Sequence, residues 1–105
     1  SAEQHYFAAT GVFPIMHFVV MRETLASQHA WLPEALFAAF KQAKERITLE
    51  PPIAGMDPKQ AWAYGLAPNH STLETFLDFC SSLGWLARRP RLEDLFAAST
   101  LQLDG

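Results

Sequence analysis

The chain has a single cysteine, Cys80, so no disulfide can form within it, and there is no CxxC pair to hold a metal. That scarcity fits a reducing compartment. Positive charge is equally short. Eight Lys and Arg against 11 Asp and Glu leave a net charge of -3 with no basic stripe, which excludes the clustered positive field that non-specific nucleic-acid binding needs. No long apolar run is present. The longest, Val12–Met21, is too short to cross a bilayer and carries His17 in its middle. No secretory signal pattern opens the chain, and Ser1-Ala2 reads as a processing or cloning remnant, so the expectation is a soluble, cytoplasmic polypeptide excised from something longer. Glycine-rich phosphate loops, a GxSxG elbow, nucleotide fingerprints and HExxH are all missing. His5, His29 and His70 share no helical face at ligand spacing, which makes a metal site improbable.

What the 105 residues do contain is apolar material: half are hydrophobic and only 18% are charged, which suits a single small domain or a piece of a larger one. The strongest strand signal is Gly11-Val12-Phe13-Pro14-Ile15-Met16-His17-Phe18-Val19-Val20-Met21, rich in β-branched and aromatic residues. It does not alternate, so both faces would be buried, as in a central strand over about 12–21; Pro14 marks its entry or a bulge. Helices follow. A short one is expected over 23–28 and a longer one over 32–47, where Leu32, Ala35, Leu36, Ala39, Phe40, Ala43 and Ile47 make one stripe and Lys41 and Glu45 pair on the wet side. Pro51-Pro52 ends it. Asp57-Pro58 starts a helix over 57–64 that Gly65 closes. Ser71-Thr72-Leu73-Glu74 has capping-box spacing for a helix over 71–83, with Leu73, Phe76, Leu77, Cys80 and Leu83 buried and Gly84 as the stop. A last short helix spans 91–97, and Ser99–Gly105 is expected to be loose.

This order is odd. One fully apolar strand followed by five helices has nothing to pair with, and buried backbone groups need partners. Either Gln4–Phe7 supplies a weak second strand, or two chains exchange strands, or most of the sheet lies elsewhere. The last is favoured: an α/β fragment, mostly helical, with one N-terminal buried strand.

The candidate site residues each have a plain alternative. His17, held among apolar neighbours, can serve as general acid or base, or be a core histidine satisfied by backbone groups. Arg22, just past the strand, can clamp a carboxylate bidentately, or be a solvated residue opening a helix. Asn69, in Tyr64-Gly65-Leu66-Ala67-Pro68-Asn69, can hydrogen-bond a ligand, or cap a turn. Arg88, Arg89 and Arg91 complement a helix C-terminus or serve a subunit contact. Trp31, Trp62 and Trp85 read as packing anchors and Cys80 as an inert buried thiol.

Three stretches in order carry a resemblance: Thr10-Gly11-Val12-Phe13-Pro14-Ile15-Met16-His17; Leu36-Phe37-Ala38-Ala39-Phe40-Lys41-Gln42-Ala43-Lys44; and Tyr64–Asn69 followed by Ser71-Thr72-Leu73-Glu74. With the ending Leu92-Glu93-Asp94-Leu95-Phe96-Ala97-Ala98-Ser99-Thr100, they are similar to the C-terminal third of 4,5-dihydroxyphthalate decarboxylases. Two departures stand out, a short loop between Thr48 and Asp57 and His70 where a basic residue is more usual. The resemblance implies the C-terminal part of a type 2 periplasmic-binding-like two-lobe fold. It also implies non-oxidative removal of CO2 from a dihydroxylated aromatic dicarboxylate, giving a protocatechuate-type product. In that setting His17 would be the acid or orienting group, with Arg22 and Asn69 binding substrate. No cofactor is implied, because the phenol is its own electron sink. The implied partner is a small aromatic dicarboxylate, with no nucleic acid and no membrane. A homo-oligomer is expected, and strand exchange in the isolated fragment. The alternative is a solute-binding protein of an ABC transporter, which shares the fold and holds a small anion without turning it over. An autonomous helical interaction module is disfavoured by the unpaired apolar strand.

Overall fold

The computed structural model describes residues 1–105. Its first element is a helix that the run of strand signals does not suggest. Ser1 and Gln4 close a reciprocal capping box, each side chain meeting the other's backbone, and start α1 (Ala2–Thr10). Gly11 ends it in the left-handed region at φ 70. Gln4–Phe7 is therefore helical and supplies no second strand. After an extended segment come α2 (Glu23–Gln28), α3 (Leu32–Lys44), α4 (Pro58–Ala61) and α5 (Leu66–Ser82), then single 3₁₀ turns at Leu92–Leu95 and Ala98–Thr100. None of these helices is long and apolar enough to cross a membrane.

The strand expected over 12–21 is not formed. From Phe13 to Met21 no backbone group joins a hydrogen bond within the chain, and the chain's one β pairing is an isolated antiparallel bridge between Gly65 and Asp104. The physical reason is the one the sequence raises: a strand has no ladder without a neighbour. The segment is not buried on both faces either. Val12 is buried, but Met16, Phe18 and Val19 are exposed and Val20 is 88% exposed.

Helix boundaries differ where capping chemistry is long-range. Helix α3 stops at Lys44, and its last turn tightens into i→i−3 bonds from Arg46 to Ala43 and from Ile47 to Lys44. Helix α4 is one turn, capped by the Asp57 carboxylate accepting from the Lys59 amide. Helix α5 starts at Leu66 rather than at Ser71, so the apparent capping box lies inside it. Pro68 fits there because first-turn amides have no intrahelical acceptor to lose. Its end is a Schellman motif: Gly84 takes φ 73, Trp85 N–H donates to the Cys80 carbonyl and Gly84 N–H to that of Ser81. The helix expected over 91–97 is the short 3₁₀ turn at Leu92–Leu95, and the tail folds back, so it is not loose: Tyr64 and Gly105 exchange both backbone hydrogen bonds.

The core is small. Leu73 and Leu77 of α5 meet Leu92, only 1% exposed, with Ile15, Leu66, Leu86 and Phe96 packed around them. Arg89 fastens this loop to α5 by ion pairs to Glu74 and Asp78, the hydrogen bond to Glu74 holding the guanidinium in its charged form. Phe76 and Leu83, expected on the buried face, are exposed, whereas Cys80 is buried. The molecule measures 46 × 41 × 18 Å. Only seven of 105 residues are buried.

Candidate functional site

Of the three residues singled out from the sequence, Arg22 occupies a groove. It stands where the extended segment turns into α2, at φ -61 and ψ 133, and it takes part in none of the chain's three ion pairs. The groove, about 520 Å³, is open and is lined by Val20, Met21, Arg22, Thr24, Leu25 and Gln28 together with Leu32 and Leu36 of α3. Arg22 is the only charged residue lining it. An apolar floor with a few polar groups at the rim is the ordinary form of a small-molecule site, and a lone guanidinium there favours a carboxylate.

His17 does not line that groove; it lies exposed in the unpaired segment. Asn69 is elsewhere again. Its side-chain amide donates to the carbonyls of Ala63 and Gly65, both at 2.9 Å, so both amide hydrogens are used in holding the α4–α5 turn. Only its Oδ1 remains to accept from a ligand. The structure thus leaves the three candidates in separate places, because the segment carrying His17 is not packed against a layer that would bring it over α2 or α5.

One functional-looking cluster escaped the sequence reading. Lys44 Nζ donates to the Trp62 carbonyl at 2.8 Å and the Gly105 carbonyl at 2.6 Å, and lies 3.9 Å from the centre of the Tyr64 ring. Burial, reinforced by the nearby Lys41 charge, pulls its pKa below the ordinary lysine value. Beside it opens a groove of about 600 Å³ walled by Phe40, Ile47, Leu49, Trp62 and Tyr64. The ammonium has three donors, two on carbonyls and the third over a ring, so Lys44 is a clamp rather than a free anion receptor. It holds the C-terminal residues on α3 together with Lys41, whose Nζ donates to the Asp104 carbonyl instead of pairing with Glu45. Only the contact with residues some 60 positions away reveals this. The aromatic content of 64–62 in the sequence, next to Lys44 in space, carries no local signal. The tryptophans are likewise more exposed than packing anchors would be, Trp85 at 72%, although the Trp62 indole N–H donates to the Glu50 carbonyl.

The clamp makes a sharp prediction at Gly65. Its backbone, φ 106 and ψ 163, lies in a region essentially reserved for glycine, and a Cβ there would overlap the Leu103 carbonyl oxygen. Gly65→Ala is expected to cost at least ~1–3 kcal/mol from the backbone alone. Gly55→Ala, at φ 90 with nothing near its Cβ position, is expected to cost less. Thermal unfolding of the two variants in the full-length protein checks the order.

No protein-family model matches the chain. It is similar to the 4,5-dihydroxyphthalate decarboxylase of Comamonas testosteroni, with 31% identity over 121 aligned positions that take in 96% of this chain. The chain spans 36% of that relative's length. The match supports a decarboxylase relationship at the level of family.

Proposed function

We propose that these residues are the C-terminal part of an enzyme that decarboxylates a dihydroxylated aromatic dicarboxylate without oxidation, of the 4,5-dihydroxyphthalate to protocatechuate type. The observation that carries the reading is the similarity over 96% of the chain to a protein of that name. In the full-length protein the segment 12–21 would pair in a sheet of a two-lobed periplasmic-binding-like fold. Its unpaired backbone and exposed apolar side chains support that placement.

The chemistry asks for three things. A ring hydroxyl para to the departing carboxylate feeds electrons into the ring. An acid then protonates the carbon that bears the carboxylate while the para hydroxyl gives up its own proton, giving a dienone; the oxygen takes a proton back once the ring is restored. The bond from that carbon to the carboxylate breaks next, CO2 leaves, and its electron pair restores the aromatic ring. His17 is assigned the proton. Arg22, unpaired beside an apolar floor, is assigned the second carboxylate. Asn69 is left a lesser role through Oδ1, since its amide hydrogens hold the turn. No cofactor enters these steps. The enzyme is placed in the cytoplasm, as a homo-oligomer.

The test is CO2 release from 4,5-dihydroxyphthalate by the full-length protein, with protocatechuate formed in equal amount. Tight binding of the dicarboxylate without CO2 would move the protein to the solute binders.

A further inference from the structure

We infer that Thr24 and Gln28 are specificity-determining residues that read ring hydroxyls in the Arg22 groove. The inference rests on the groove's being the substrate site proposed above. Three facts carry it. Thr24, Gln28 and Arg22 are the polar members of the lining, over a floor that includes Leu25, Leu32 and Leu36. Neither Thr24 nor Gln28 makes a side-chain hydrogen bond within the chain, nor does Arg22. Both lie on the six-residue α2, four positions apart, and therefore on one face with a separation along the axis of about 6 Å, so both side chains can meet the same ring.

The chemistry then separates the roles. The guanidinium recognises any carboxylate on an apolar ring and cannot tell a hydroxylated ring from a bare one. The Thr24 hydroxyl and the Gln28 amide each donate and accept. Covered by a bare ring, both would lose water and gain nothing; covered by a dihydroxylated ring, both are satisfied. A site that hydrogen-bonds a substrate hydroxyl rejects the analogue lacking it far more strongly than an apolar site rejects an extra one.

The experiment compares two unreactive probes, benzoate and 3,4-dihydroxybenzoate, by calorimetric titration of the full-length protein. The wild type is expected to bind the dihydroxylated acid at least tenfold more tightly. Gln28→Leu and Thr24→Val are each expected to weaken 3,4-dihydroxybenzoate by about tenfold while binding benzoate as tightly as the wild type or more tightly. Arg22→Ala is expected to weaken both alike. Should Gln28→Leu lose its fold by circular dichroism, Gln28→Met replaces it with a side chain of matching length. Equal losses on both probes, or no loss on either, overturns the inference. A failure of the decarboxylase reading looks different, since it would abolish CO2 release while leaving the hydroxyl preference measurable.

Discussion

Residues 1–105 prepared as a separate polypeptide will self-associate at micromolar concentration and will show no sharp cooperative unfolding transition. The surface says why. A folded monomer of 11.7 kDa exposes about 5,900 Å² by the usual scaling with mass, whereas this chain exposes 7955 Å². The difference of roughly 2,000 Å² is more than twice what one partner contributes to a standard protein interface, about 800 Å². The radius of gyration tells the same story, 15.4 Å against about 13 Å for a compact chain of this length. Much of the excess is apolar, including Phe76, Phe79, Leu83 and Trp85 at the C-terminal half of α5 and the whole run Met16–Val20 apart from His17. That run is also a row of unpaired amides and carbonyls, the feature that drives edge-to-edge pairing. Sedimentation velocity is expected to find oligomers, and Val19→Lys to shift them toward monomer by placing a charge on the pairing segment. In the full-length protein the amides of 15–21 should resist hydrogen exchange. A monomer of 1–105 with a single sharp calorimetric transition would refute the expectation.

How far the sequence discloses this architecture depends on how local each cause is. The Asp57 cap, the Gly84 stop and the apolar spacing of Leu73, Leu77 and Cys80 act within a turn or two, and all are legible. The capping box of α1 is equally local, Ser1 with Gln4 three residues on. The start of α5 is different. It is fixed by Gly65 and by Asn69 reaching back to Ala63, a connection that a linear capping pattern at Ser71 outweighs on paper. The Lys44 clamp is less legible still, since its acceptors include Gly105. The segment 12–21 is the reverse case. Its composition reads as a strand buried on both faces, but strand formation is a property of a pair, and these residues contain no mate for it. The site follows the same logic. Residue types suited to acid chemistry and carboxylate binding can be named from the sequence, but their convergence needs the layers that surround them.

That convergence is what the second large prediction examines. For the decarboxylase proposed above, His17→Ala is expected to lower kcat by about 10²–10⁴-fold, the usual contribution of a positioned acid. The argument begins with the alternation of an extended chain, in which residues two apart share a face. His17 therefore shares one with Ile15 and Val19, whereas Arg22, five positions on, belongs to the opposite set. Ile15 already packs against the cluster of α5 and Leu92. Arg22 is itself still extended and α2 begins only at Glu23, so for His17 to reach the same substrate as Arg22 the chain must twist or bulge between the two residues. A histidine that merely fills space would give a different result: His17→Ala would lower the melting temperature, and any surviving enzyme would keep its kcat. An acid gives the opposite pattern. His17→Gln, which can still hydrogen-bond but cannot deliver a proton at that step, should keep the melting temperature and lose most of kcat with little change in KM. Intact turnover in His17→Gln would remove the residue from the mechanism while leaving the carboxylate groove to be judged on its own titrations.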